Sequence, residues 1–354
     1  MHRAARQSTA VTPRDTDKGT LAIDFVHEAL RVAELRGLDL APMLRAVGLG
    51  PELMDSPRAR ASASTYARLW SSLADTLDDE FFGLDHHPMR RGSFRLLCHA
   101  VLDCETLGQA LRRMLDFLRL VLDDLHATLE HAGPRAVITL HDSGTPRRMF
   151  AYATFLMIVH GLSCWLVGRR LMLRSADFRC PAPPPLQARD YRIRFCESAR
   201  FDQPHTCIAF DASALELPVV QSAQTLPEFL RAAPANLLVR YRDEHGLAAR
   251  VRRRLRSVPP AHWEGVAALA AGLQMSVATL QRRLLAEGSS CQAIKDELRR
   301  DLAIHALEQT RLPLTTLAER LGYAELSVFH RAFKKWTGVS PGTYRATSTP
   351  PSPD

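Results

Sequence analysis

The chain has 354 residues, 46% hydrophobic and 24% charged, which excludes a disordered or fibrous protein and leaves room for two or three domains. Its formal net charge of +8 is uneven: residues 1–235 hold 28 basic and 27 acidic side chains, residues 236–345 hold 18 and 10, and the tail adds only Asp354. A neutral large region followed by a small basic one says that only the second is built to meet a polyanion, whether nucleic acid, acidic protein or membrane surface.

Residues 1–19 lack periodicity and read as a disordered arm; polar and basic, without an apolar run, they do not form a secretory signal. From Leu21 to Arg36 the apolar set Ile23, Val26, Ala29, Leu30 and Ala33 recurs at helical steps, with Gly37 as the stop. Ser64–Leu77 predicts a second helix, with Tyr66, Leu69, Trp70 and Leu73 on one face. Thr106–Leu122 predicts a third, capped by Thr106 and striped by Leu107, Ala110, Leu111, Met114, Leu115 and Leu118. The period then changes to two around Gly133-Pro134, which predicts a β-hairpin between Leu125 and Leu140.

Arg148–Val167 returns to helix. Its most apolar part, Phe150–Val167, is interrupted by His160 and Ser163 and falls short of the ~20 apolar residues of a membrane span. Asp177-Phe178-Arg179 and Cys207-Ile208-Ala209-Phe210 read as short strands. Residues 20–230 therefore form an α+β domain. Residues 231–260 read as a helical linker, in which Arg252-Arg253-Arg254 marks a solvated face before the Pro259-Pro260 break.

No catalytic or metal pattern stands out. The seven cysteines include no C-x-x-C pair and read as free thiols of a reducing cytosol. His86-His87 cannot share a helix face, and Asp123-Asp124 reads as solvated acid. Tyr152, Phe155, His160 and Trp165 read as core rather than pocket. No cofactor and no metal are expected.

Residues 261–345 hold two segments of one design. The first runs from Val266 through Gly272 and the turn Leu273-Gln274-Met275 to Ser276–Leu284; the second runs from Leu314 through Gly322 to Leu326–Trp336. Each is a short helix, a turn beginning at glycine and a second helix with basic residues, the helix-turn-helix pattern. Ala267, Ala270, Ala271 and Ala318 are small enough for close helix approach, and Gly272 and Gly322 suit a positive φ.

Ser276 caps the first of the two second helices, whose Val277, Leu280 and Leu284 face inward and whose Ala278, Thr279, Gln281, Arg282 and Arg283 face outward. In the second copy Val328, Phe329, Phe333 and Trp336 face inward; Glu325, Leu326, Ser327, His330, Arg331, Lys334 and Lys335 face outward. Between them Cys291–Gln309 predicts a helix of 19 residues. At ~1.5 Å per residue it spans about 28 Å, close to the ~34 Å between successive major grooves.

These residues closely resemble the DNA-binding unit of the AraC/XylS transcription regulators. The resemblance is carried by Ser276-x-x-Thr279-Leu280-Gln281-Arg282-Arg283-Leu284, Glu287-Gly288, Arg299-x-x-Leu302-Ala303-x-x-x-Leu307 and Leu317-Ala318-x-x-Leu321-Gly322-Tyr323. It continues through Ser327-x-Phe329-x-Arg331-Ala332-Phe333-Lys334-x-Trp336 and Gly338-Val339-Ser340-Pro341-x-x-Tyr344-Arg345. Cys291 departs from an aromatic common in the family. The resemblance implies an all-α DNA-binding domain of two helix-turn-helix subdomains joined by a long helix. It places Ala278, Gln281, Arg282, Leu326, Ser327 and Arg331 at base- or phosphate-contacting positions, with Ser276, Thr279, Arg283, His330, Lys334 and Lys335 beside them.

Upstream, Thr106-Leu107-Gly108-x-Ala110-Leu111, Phe178, Phe195-Cys196-Glu197-Ser198-Ala199-Arg200-Phe201-Asp202, Ile208-Ala209-Phe210-Asp211 and Leu215-Glu216-Leu217-Pro218-Val219 resemble the ornithine-utilisation type of regulator in this family rather than a small sugar-binding barrel. That implies a ligand-sensing and dimerising domain over 20–230; residues 346–354 read as a disordered tail. The expected protein is a cytoplasmic homodimer, an activator or a repressor, that binds promoter or operator double-stranded DNA, meets RNA polymerase and answers to a small-molecule effector. Two rivals stand beside it: a DNA-tethered enzyme, and a regulator controlled by protein contacts or abundance alone.

Overall fold

A computed structural model of the chain describes residues 19–348, apart from 143, 145, 235, 236, 238–245 and 288. The expected arm (all but Gly19), Gly288, most of 235–245 and the last six residues lie outside the described residues.

Two short strands, Thr20–Ala22 (β1) and Arg60–Ser62 (β2), pair antiparallel with Thr20 opposite Ser62. Each runs directly into a helix: β1 into Ile23–Leu35 (α1), and, after Ala41–Val47 (α2) and Pro51–Met54 (α3), β2 into Ala63–Leu77 (α4). Ser62 ends β2 and caps α4, its hydroxyl accepting from the Thr65 N–H at 3.0 Å. The predicted faces of α1 and α4 are buried. Ser93–Leu102 (α5) leads to Leu107–Val121 (α6), which Thr106 caps and whose six-residue predicted stripe is buried throughout.

Leu125–Ala132 (β3) and Arg135–Asp142 (β4) form the predicted hairpin, with Gly133 in the turn at φ +59. Met149–Leu166 (α7) is long and apolar enough to cross a membrane, yet every residue in it except Trp165 is buried within the fold. Its His160 Nε2 lies 2.9 Å from the Leu171 carbonyl, as a core histidine should. Leu173–Asp177 (β5), Pro185–Arg194 (α8) and Thr206–Asp211 (β6) complete an open antiparallel sheet of order β3-β4-β6-β5. The strand expected at 177–179 thus ends at Asp177; Phe178 is buried as a core side chain, where it packs on Phe195 and Phe201.

Leu226–Ala232 (α9) and Leu247–Arg256 (α10) precede the basic unit: Val266–Gly272 (α11), Val277–Ala286 (α12), Cys291–Gln309 (α13), Leu314–Arg320 (α14), Leu326–Thr337 (α15) and Pro341–Ser348 (α16). The connector α13 has the predicted ends. The expected tail starts too early: α16 runs through 346–348 and buries Ser348.

Core packing divides the basic unit. The first helix-turn-helix shares a core with α10, built from Val251, Leu255, Leu269, Leu280, Leu284 and Ile294. The second joins the large N-terminal core through Ile304, Leu307, Leu317, Phe329, Phe333 and Tyr344. Polar groups seal that junction. Thr20 Oγ1 donates to Asp301 at 2.7 Å, while Glu308 accepts from Thr65 Oγ1 and Tyr344 OH, both at 3.0 Å. Glu297 receives Arg189 at 2.6 Å and Arg252 at 3.2 Å. Arg252 is therefore not on a solvated face: its side chain is 15% exposed and clasps a carboxylate. Neighbouring Arg254 donates twice to Glu264, at 2.9 and 3.0 Å.

Candidate nucleic-acid interface

Each helix pair is closed by a turn in which an N–H reaches back five residues, Met275 to Ala270 and Tyr323 to Ala318. Both bonds need a left-handed residue just before the donor. In the second turn it is Gly322, at φ +79, where an added Cβ would also lie 2.8 Å from the Pro260 carbonyl oxygen. In the first it is Gln274, at φ +58. Gly272 instead closes α11 and is kept small by the Arg254 guanidinium, which a Cβ would meet at 2.4 Å. The glycine pair is thus not equivalent, and the register relating the two units shifts by two residues. Of the four small residues, only Ala270 and Ala318 are buried; Ala267 and Ala271 face outward.

Ser276 caps α12, accepting from the Thr279 N–H at 3.1 Å, and its hydroxyl lies 2.9 Å from Thr279 Oγ1. This local pairing leaves Thr279 half-buried, while Ala278, Gln281, Arg282 and Arg283 are exposed. Leu285 completes the face; it is 75% exposed, seven residues after Ala278 and so on the same side.

On α15, Ser327, Arg331, Lys334 and Lys335 are exposed as expected. Three placements differ. Val328 is 38% exposed, because it lies two turns before Lys335; Leu326 is half-buried against the large core; and His330 is half-buried with its Nε2 enclosed and unbonded among the described residues. Val328 and Leu285 are the members of these faces that sequence reasoning missed. Seven-residue spacing from an accepted face residue was the signal for both.

Both faces carry free cations. Among the described residues, Arg282, Arg283, Arg331, Lys334 and Lys335 have neither ion pair nor hydrogen-bonded acid, whereas Arg252, Arg254 and Arg300 are each paired. The Arg254 hydrogen bonds hold the Glu264 carboxyl below its ordinary range. Lys295 is drawn down by burial and donates to the Glu264 carbonyl at 2.6 Å. Arg299 sits between the two units, its guanidinium carbon 5.1 Å from the Trp263 ring centre and 5.3 Å from that of Tyr323, with Nε donating to the Leu321 carbonyl at 2.9 Å. Burial pushes the Tyr323 hydroxyl up to about 12, so the ring under Arg299 stays neutral. Among the described residues no three His, Cys, Asp or Glu side chains gather as a metal site.

Comparison with known proteins matches residues 269–347 to a helix-turn-helix domain and residues 37–219 to the arabinose-binding domain of the AraC transcription regulator. The ornithine utilization regulator of Pseudomonas aeruginosa is 30% identical over 333 residues, covering 91% of this chain and 95% of that protein. The chain belongs to the AraC family of transcription regulators.

An uncharacterised HTH-type regulator of Mycobacterium tuberculosis is 26% identical, covering 88% of this chain and 92% of its own. The crystal structure of the regulator CdpR from Pseudomonas aeruginosa is 19% identical with a TM-score of 0.29, covering 91% of this chain and 98% of that one. This AraC-family regulator therefore joins an N-terminal ligand-binding domain to a helix-turn-helix DNA-binding domain. The arabinose-binding match falls on a region whose described strands form an open sheet rather than a closed barrel.

Proposed function

We propose that α12 and α15 enter two successive major grooves of a promoter or operator duplex from one side, held apart by α13. The observation that carries this is that each of these two helices presents exposed cations with no acid partner among the described residues, Arg282 and Arg283 on α12 and Arg331, Lys334 and Lys335 on α15. On α12, Gln281 and Arg282 read base edges, Ala278 touches a thymine methyl, and Ser276, Thr279 and Arg283 lie towards the phosphates. On α15, Ser327 and Arg331 read, Lys334 and Lys335 neutralise phosphate, and Leu326 and His330 stand at the buried margin of the face. Val328 and Leu285 join as apolar contacts.

The division into a sensing domain over 20–230, a linker over 231–260 and a DNA unit over 261–345 is part of the same proposal, as are a homodimer, a contact with RNA polymerase, a cytoplasmic setting and the lack of a catalytic role. The regulator reading is supported by relatives named as regulators that match over nearly their whole length. The effector acts by shifting the population in which both helices are presented together.

Duplexes selected from a random pool, measured by fluorescence anisotropy, test the DNA reading. Arg282→Ala and Arg331→Ala should each cost about 1–3 kcal/mol on the selected sequence and relax preference at one position. Unchanged affinity and unchanged preference in both variants would remove these helices from the interface.

A further inference from the structure

Between α4, the segment 80–94, α7 and α9 lies a cavity of about 560 Å³, within the ordinary range for small-molecule sites. Its floor is apolar: Trp70, Met89 and Ile158 line it and are 7%, 0% and 3% exposed. Its rim carries three arginines that are not equivalent. Arg91 is committed, pairing with Asp75 at 2.7 Å and Glu80 at 3.0 Å. Glu80, the carboxylate that lines the cavity among the described residues, is itself buried and saturated. It accepts from Arg91, from the Gly92 N–H at 2.9 Å and from the Phe94 N–H at 2.6 Å. Glu80 therefore shapes the loop and presents no free charge to a ligand.

Arg95 on α5 and Arg231 on α9 line the same cavity and are exposed, with no acid partner among the described residues. The Ser71 hydroxyl, also on the lining, has no hydrogen-bond partner among them either. Two free guanidiniums over an apolar floor select one chemical class. A cation is repelled, because the local acid is already neutralised. A sugar needs partners for many hydroxyls, and besides the guanidiniums this wall offers Ser71. A carboxylate matches the planar guanidinium fork, and an apolar body matches the floor.

We propose that this cavity is the effector site and that its ligand is a monocarboxylate with an apolar body, the carboxylate held by Arg95 and Arg231 and the body seated on Trp70, Met89 and Ile158. The proposal rests on the reading of the chain as a ligand-responsive regulator and names the site and the ligand class for it.

Calorimetric titration of the full chain with octanoate and 4-phenylbutyrate, each against its neutral alcohol, tests it. At least one acid should bind at least about tenfold more tightly than its alcohol, as expected for charge-assisted bonds. The Arg95→Ala/Arg231→Ala double variant should bring the acid to the level of the alcohol and leave the alcohol unchanged. Ser71→Trp, which puts an indole ring into the cavity between the floor and the two arginines, should weaken both, with thermal melting showing that the variant is folded. No binding of either acid, or equal acid binding by wild type and the double variant, would overturn the proposal. The same samples are titrated with a random-sequence duplex at low salt. Intact DNA binding without carboxylate binding overturns the site alone; carboxylate binding without DNA binding overturns the regulator reading alone.

Discussion

Two glycines offer a controlled test of how the second helix-turn-helix is seated. Gly37, after α1, and Gly48, after α2, have nearly the same backbone, φ +71 and +79. Alanine at either pays the left-handed penalty of about 1–2 kcal/mol. Their surroundings differ completely. A Cβ at 37 meets nothing within 4 Å, whereas a Cβ at 48 falls 2.4 Å from the Ser348 carbonyl oxygen and 2.8 Å from its carbon. Those are backbone atoms at the end of α16, so relief requires the helix itself to retreat by roughly an ångström, adding about 1–3 kcal/mol as overpacking does. Gly37→Ala should therefore lower stability by about 1–2 kcal/mol and Gly48→Ala by about 2–5 kcal/mol. Urea denaturation gives the two values. Amide exchange should show faster opening of α16 in the second variant alone. Equal costs, with equal exchange in α16, would mean that Ser348 does not rest on Gly48 and that the seating described above is wrong.

Salt dependence separates the paired arginines from the free cations. Lys334→Ala should reduce the slope of log affinity against log salt by about 0.9, the value for one phosphate contact. Arg252→Ala should leave it unchanged, because its guanidinium is held by Glu297; an equal drop in both would return the arginine run to the DNA side. Arg299→Lys keeps the charge but loses the planar stacking between Trp263 and Tyr323. It should cost about 1–2 kcal/mol of stability and weaken duplex affinity; a melt and an affinity both unchanged would deny Arg299 the role of clamp between the two units.

What was legible in the sequence follows from how local each signal is. The helices α6 and α13 announce themselves because a face repeats over 15 and 19 residues, and α7 because it is apolar along nearly all of its 18. The three-residue strands β1 and β2 carry no readable alternation, so their pairing went unseen. Phe178 has strand-like neighbours but is buried by Phe195 and Phe201 beyond the end of β5 at Asp177. On the outward faces of α12 and α15 the exposed polar residues and Ala278 are legible, whereas the larger apolar Leu285 and Val328 are not. Val328 was assigned inward by its chemistry, although its position in the helical repeat sets it beside Lys335. Gln274 is the opposite case: a turn that usually selects glycine holds a glutamine, with Gly272 two residues before it. The seating of the second unit was beyond reach, since Thr20 and Asp301 are 281 positions apart and no period links them.

That seating makes the two DNA-reading units unequal partners of the sensing region. The second shares its core with the N-terminal domain and is tied to it through Asp301, Glu308 and Tyr344. The first keeps a separate core with α10, and its links to the rest run through α13, the Arg299 stack and the Arg252–Glu297 pair. A rearrangement of the N-terminal core therefore acts directly on the position of α15, and reaches α12 through the connector with the residues packed on it and through the contact of Pro260 with Gly322. In the proposed two-groove reading, binding depends on the spacing between these helices, so a shift at one end of α13 would change whether both engage. The effector need not touch either DNA-reading helix, since one of them is already built into the domain that binds it.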